Sequence, residues 1–277
     1  MEYDREMNMH TSPRKRDFRL SFWLLSLGII GVGVYSLITL RQTTAMYDQL
    51  LAEQSTLHSG NVELVELPGV EKKLNIPTWT LFQDGNIWSY VSRDHPLPNS
   101  FVAPELVNTS VAHGDSTLPM QVQKRIEAPL RALYDAAEQD GHEFMLSSAY
   151  RSISDQHALY DAFVQKHGRD MAAEYVLTPG ASEHHTGLSV DFSSSSAACA
   201  ANSDSCSLSA ADAAWLHENA ARFGFIQRYP EGKQPLTGVA FEAWHYRYVG
   251  VPMAKAVTES GLTYDEVVKQ IAPGYTK

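Results

Sequence analysis

Ser182-Glu183-His184-His185-Thr186-Gly187-Leu188-Ser189-Val190-Asp191 is the stretch on which the rest of the chain turns, and Glu242-Ala243-Trp244-His245 is its partner about fifty residues downstream. Together they supply imidazoles and a carboxylate for one divalent metal, with a second carboxylate three positions before the last imidazole. A catalytic zinc site needs this inventory: three protein ligands, an open position for water and a base to take a proton. Gly187, between His184 and Asp191, permits a tight turn that lets those two side chains converge. Val190 and Phe192 flank Asp191 and predict a buried strand, where a carboxylate is costly unless paired or metal-bound. His185 is set aside as a ligand, because neighbouring residues seldom face the same point. Phe241–Val249 reads as a strand, and a flat strand would send Glu242 and His245 to opposite faces. A turn or bulge between them is therefore required if Glu242 is to reach the site.

Outward from this pair, the chain alternates helical and strand patterns. Met120–Gln139 carries Val122, Ile126, Leu130, Leu133, Tyr134 and Ala137 at helical spacing, with Gly141 as a stop. Phe144–Ser148 reads as a strand closed by Arg151, whose guanidinium is suited to clamp a substrate carboxylate or an oxyanion. A helix from about Ser154 follows, with Gln156 at its start and Leu159, Tyr160 and Phe163 expected inward. A further helix spans Ser209–Arg222 and stops at Gly224. Gly85–Val91 suggests a short strand, and Pro252 opens a last helix ended by Gly261. Helices interleaved with few short strands predict an α+β domain rather than a doubly wound sheet.

The N-terminal quarter has a different character. Residues 1–19 carry Arg14, Lys15, Arg16 and Arg19, and Leu20–Leu40 runs uncharged as LSFWLLSLGIIGVGVYSLITL. As a helix, this span would be about 32 Å long, close to the roughly 30 Å of bilayer hydrocarbon. The basic flank sets a cytoplasmic N-terminus and an outer C-terminal bulk. A cleaved signal peptide would have a shorter apolar core of about 7–15 residues ending at small residues. The expected organisation is a cytoplasmic tail (1–19), a transmembrane anchor (20–40), a stalk (41–75) and a globular domain (76–277). The net charge of −10, from 22 Lys+Arg against 32 Asp+Glu, disfavours nucleic acid as a partner. Cys199 and Cys206 are the only cysteines. Their spacing suits a short disulfide loop in an oxidising compartment, and two free thiols are the alternative.

The pattern Ser-x-His-x-x-Gly-x-x-x-Asp followed by Glu-x-x-His resembles the zinc D-Ala-D-Ala metallopeptidases, a group related to lysostaphin-type and hedgehog-type folds, and is most similar to the VanY-like D-alanyl-D-alanine carboxypeptidases. Asp94-His-Pro-Leu-Pro98, Tyr150-Arg-Ser152, Thr178-Pro-Gly180, Gly224–Pro230 and Trp244–Gly250 look like further blocks of that family, so the resemblance runs from about residue 88 to residue 270. It implies a small antiparallel sheet flanked by helices. It also implies His184, Asp191 and His245 as zinc ligands, Glu242 as catalytic base, Arg151 as the group that meets substrate and developing charge, and Ser182 with Gln156 as substrate contacts. His185 stands where the family pattern has glutamine, and Ser189 where it has alanine. The implied function is removal of the terminal D-Ala from peptidoglycan stem peptides by a membrane-anchored enzyme acting outside the cell. An endopeptidase or D,D-dipeptidase on the same site, and a non-catalytic wall-binding domain, are the alternatives.

Overall fold

The computed structural model describes residues 62–65, 67–70, 74–113, 120–194 and 208–273, all within one compact unit, Gly60–Lys277. The tail, the 20–40 span, Cys199 and Cys206 lie outside the described residues. Among the described residues no helix is long and apolar enough to cross a membrane.

The fold is α+β, built on a four-stranded antiparallel sheet in the order β5-β6-β8-β7. These strands are Phe144–Ser148, Ser189–Ser194, His245–Tyr248 and Phe225–Gln227 for β5, β6, β8 and β7 respectively. Two small hairpins accompany it: β1 (Val62–Val65) with β2 (Leu74–Pro77), and β3 (Leu106–Asn108) with β4 (Gln121–Gln123). Helix α1 (Lys124–Gln139) lays Ile126, Leu130, Leu133, Tyr134 and Ala137 on the sheet, against Leu146, Val190, Phe192 and Tyr246. These residues recur every three or four positions, so one stripe of the helix is buried. Truncating one of them, as in Leu130→Ala, costs about 2–5 kcal/mol. A second core lies where α6 (Val251–Ser260) and α7 (Tyr264–Ile271) meet Leu81, Ile226 and Val249.

Several expectations need correction. Residues 121–123 begin no helix. The Gln123 backbone N–H donates to Gly187 O (2.8 Å) and its side-chain Nε2 to Thr186 O (2.6 Å), so tertiary hydrogen bonds hold Gln121–Gln123 extended beside β3. Gly85–Val91 forms turns instead of a strand, pinned by the Trp88 indole N–H to Val249 O (2.9 Å). The strand expected over Phe241–Val249 begins only at His245, because Ala243 and Trp244 form a turn. The helix ended by Gly261 is followed by another, α7, which a Thr263–Glu266 capping box starts. The β1–β2 hairpin lies within or beside residues assigned to a stalk, and Leu67 joins the second core. Finally, α2 (Ile153–His167) buries only Gln156; Leu159 is exposed and Tyr160 and Phe163 are half-buried. Together with α3 (Arg169–Tyr175), α2 contributes to the wall of a cleft instead of covering the core.

Candidate active site

Strand register brings the site together. Asp191 on β6 lies opposite His245 on β8 and opposite Ser148 on β5, so Asp191 and His245 are cross-strand neighbours. A register shift between Leu146 and Ser148 releases β5 just before Arg151. His184 comes from a single 3-10 turn, Glu183–Thr186, started by Ser182, whose Oγ accepts from the His184 N–H (3.4 Å). Gly187 ends that turn with φ +67 and ψ 16. A Cβ there would come within 2.9 Å of Leu106 and 3.1 Å of Gln123 N, so conformation and space both require glycine.

His184, Asp191 and His245 offer ligand atoms that all lie within 4.8 Å of one another. His184 Nε2 is 3.2 Å from Asp191 Oδ2, and its Nδ1–H donates to Ala149 O (2.7 Å). That bond fixes the tautomer and turns the Nε2 lone pair towards Asp191. His245 places Nδ1 2.9 Å from Asp191 Oδ1, with Nε2 on its far side 3.6 Å from Glu183 Oε2. Burial alone would lower the His245 pKa, but the hydrogen bond to Asp191 and the nearby Glu183 and Glu242 carboxylates reverse this and push it up to about 10. Asp191 is held well below the carboxylate range: burial would raise it, and the two histidines overcome that. Burial lowers the His184 pKa, so its Nε2 offers a lone pair beside the Asp191 carboxylate at the point the three side chains share. Two imidazoles and one carboxylate are also a donor set that fits zinc, and a carboxylate behind a ligating imidazole is the usual support for such a metal.

His185 is buried and faces elsewhere. Its Nδ1–H donates to Arg151 O (2.7 Å) and its Nε2 accepts from the Gly180 N–H (3.1 Å). Burial lowers its pKa, consistent with a neutral ring that ties the Arg151 loop to the Gly180 turn.

Glu242 reaches the cluster because of the turn at Ala243–Trp244. Its Oε2 is 3.8 Å from His245 Nδ1, and its carboxylate has no hydrogen-bond donor among the described residues. Burial is the main cause that pushes its pKa up to about 7, against the opposing pull of His245. Arg151 donates through Nη1 to Gln156 Oε1 (2.7 Å) and through Nη2 to Ser148 Oγ (2.9 Å). Burial lowers its pKa, and the nearby Asp191 and Glu242 carboxylates raise it. The Gln156 Nε2 in turn donates to Leu177 O (2.7 Å), so Gln156 braces the guanidinium between two elements. Arg151, Gln156, Ser182, Glu242 and the three clustered residues all line one cavity of about 230 Å³.

Sequence reasoning missed the support beneath. Glu183 is fully buried. Its Oε1 accepts from Arg228 Nε (2.9 Å) and lies 3.1 Å from Arg247 Nη1, and its Oε2 accepts from Ser189 Oγ (3.2 Å). Asp265 from α7 takes the other face of Arg228, and the Tyr90 hydroxyl donates to Asp265 (2.8 Å). Burial would raise the Glu183 pKa, but the two arginines hold it far below the usual range. A signal was present: Arg228 and Arg247 sit in strand-like apolar runs, where an arginine needs a buried acid.

The model of the VanY family, D-alanyl-D-alanine carboxypeptidase, matches residues 119–251. A D-alanyl-D-alanine carboxypeptidase of Enterococcus faecium is 30% identical over 257 residues, covering 90% of this chain and 78% of that protein. Among solved structures, a vancomycin-resistance D,D-pentapeptidase VanY in complex with Zn(II) is 34% identical with TM-score 0.54, covering 64% of this chain and 95% of that one. The LD-carboxypeptidase LdcB is 30% identical with TM-score 0.59, covering 75% and 94%. A His/Asp cluster that could hold a metal, set in a cleft beside a base carboxylate and an arginine, fits a metal-dependent hydrolase of α+β class. Within that class, the chain belongs to the VanY D-alanyl-D-alanine carboxypeptidase family.

Proposed function

We propose that His184, Asp191 and His245 hold one zinc ion and that Glu242 is the proton-transferring base of a carboxypeptidase that removes the terminal D-Ala from peptides ending in D-Ala-D-Ala. The chain is a zinc metallopeptidase of this family, and the observation that carries the residue assignment is the convergence of the three donors in the cavity that also holds Glu242 and Arg151. Bound zinc supplies Lewis-acid polarisation of the scissile carbonyl and a more acidic water. Glu242, a carboxylate without a donor of its own, accepts the proton of the attacking water and passes it to the leaving amine. Arg151, braced by Gln156 and Ser148, presents its planar fork to the negative charge of the substrate. Ser182, buried at the start of the His184 turn, adds a hydroxyl on the same cavity wall. Glu183 orients His245 from behind.

The domain is delivered by residues 1–75, read as a cytoplasmic tail, an anchor over 20–40 and a stalk whose end folds with the domain. Support for this comes from the uncharged span and its basic flank, and it puts the active site on the peptidoglycan side of a cell membrane. Thiol labelling of the native chain checks whether Cys199 and Cys206, which lie outside the described residues, are bridged there: neither is expected to react, and two reactive thiols would overturn the bridge. Mass spectrometry of a D-Ala-D-Ala-ending pentapeptide incubated with the zinc-loaded full chain tests the activity. Loss of one D-Ala is the expected product. Release of intact D-Ala-D-Ala marks a dipeptidase, and internal cleavage marks an endopeptidase. The likeness to the LD-carboxypeptidase LdcB favours one second reading, in which a peptide with an L-D terminal bond is the better substrate; the same assay on such a peptide decides between them.

A further inference from the structure

The cleft contains a second arginine that the hydrolytic chemistry leaves unused. Arg93 lines the same cavity as Arg151 and is half-buried, yet among the described residues it has no hydrogen bond or ion pair. Its placement is fixed by a braced turn. The backbones of Ser92 and His95 hydrogen-bond to each other in both directions (3.3 and 3.2 Å), and Ser92 Oγ also accepts from the His95 N–H (3.2 Å). Further along, the Leu97 N–H donates to Gly180 O (2.9 Å). At Gly180, with φ +88, a Cβ would come within 2.8 Å of Leu97 O. The Arg93 turn is thereby fastened to the segment that leads into Ser182 and His184.

A guanidinium has five donors and no acceptor. Held at a cavity wall without a protein partner, it is suited to an anion brought by the ligand. The cavity's own carboxylates are Asp191 and Glu242; Asp191 belongs to the two histidines, and the arginine that chiefly acts on Glu242 is Arg151. The terminal carboxylate of a D-Ala leaving group is also accounted for. Only the amide N and one Cα separate it from the scissile carbon, less than about 5 Å by standard bond lengths. Its partner must therefore stand beside the hydrolytic centre, where Arg151 does. A leaving D-Ala has no other anionic group, so a further anion can only come from the acyl side of the scissile bond.

We propose that Arg93 binds a second carboxylate of the substrate, carried on the acyl side one or more residues before the scissile bond, so that the enzyme selects acidic peptides ending in D-Ala-D-Ala. This rests on the proposed carboxypeptidase reading and adds a substrate class to it. Arg93 acts through substrate affinity and leaves the proton transfer to Glu242.

The test uses two synthetic pentapeptides ending in D-Ala-D-Ala that differ in one acyl-side group, a free carboxylate in one and a carboxamide in the other. With the zinc-loaded full chain, kcat/KM is expected to favour the acid by about tenfold, the low end for a hydrogen-bonded charge. Arg93→Met should lower kcat/KM for the acid to the level of the amide, mainly through KM, and leave the amide unchanged. Arg93→Lys should keep part of the preference. Amidating the C-terminal carboxylate should harm wild type and Arg93→Met alike. The inference is overturned if wild type shows no acid preference, if Arg93→Met slows both peptides equally, or if Arg93→Met becomes indifferent to the C-terminal carboxylate. A wild-type chain that cleaves neither peptide contradicts the carboxypeptidase reading instead. Calorimetric titration then decides Arg93 alone: tighter binding of the acid, lost in Arg93→Met, supports it, and equal binding of both peptides overturns it.

Discussion

The floor and the wall of the cleft are built on opposite principles. The floor is the β6–β8 pair, with His184 perched on a one-turn helix, and it rests on the buried Glu183–Arg228–Asp265 and Glu183–Arg247 ion pairs. The wall from α2 and α3 buries little: Leu159 is 41% and Tyr175 52% exposed, and both line the cavity. Groups that share a metal and a proton must keep their geometry within a fraction of an ångström, which rigid strands and a supporting layer provide. Groups that receive a peptide must stay accessible, and so must forgo the burial that stabilises a core. Substitutions in the floor are therefore expected to alter chemistry or folding, and those in the wall to alter KM.

The largest expected effect in the floor is on turnover. Glu242→Ala should lower kcat by about 10²–10⁴-fold, the usual contribution of a general base, while zinc content stays near wild type. Steady-state kinetics beside metal analysis check this, and a variant that keeps full turnover has a different base. Glu183→Gln should instead act on folding. Removing one charge from a fully buried pair costs about 3–5 kcal/mol, seen as a lower denaturant midpoint. Unchanged stability would show that the two arginines find other partners. Comparing these two carboxylates sharpens the contrast within the floor itself: Glu242 has no donor and Glu183 has several.

Arg151→Lys keeps the charge but loses the fork that Gln156 and Ser148 hold. An activity loss of roughly 10–100-fold follows from the worth of hydrogen bonds to charged groups. If the loss is in kcat, the guanidinium meets charge that develops during attack; if in KM alone, it holds substrate and transition state equally. The smallest effect belongs to the wall. Tyr175→Ser should change stability by less than about 0.5 kcal/mol, as for exposed positions, and raise KM a few-fold. A stability loss like that of a core residue would erase the distinction between wall and floor.

The floor was more legible in the sequence than the wall. The spacing of His184, Gly187 and Asp191 has a local meaning, a turn flanked by converging side chains, and the turn required before His245 is present at Ala243–Trp244. The helix α1 and strand β5 followed from periodicity. What was misread depended on partners distant in the chain. Gln121–Gln123 stays extended because Thr186 and Gly187 accept its hydrogen bonds. Leu159 lines the cleft and stays 41% exposed, because no described element packs over it. Glu183 looked like an ordinary acid between a serine and a histidine, and its role needs Arg228 and Arg247, about 45 and 64 residues away, to be visible.

Of two adjacent histidines, only His184 is placed to hold the metal. His184 turns Nε2 towards Asp191, whereas His185 gives both ring nitrogens to Arg151 O and the Gly180 N–H. Zinc stoichiometry of the purified full chain, measured for wild type, His184→Ala and His185→Ala, tests that choice directly. One zinc per chain in wild type, almost none in His184→Ala and a largely retained complement in His185→Ala is the predicted result. Zinc kept by His184→Ala and lost from His185→Ala would contradict it.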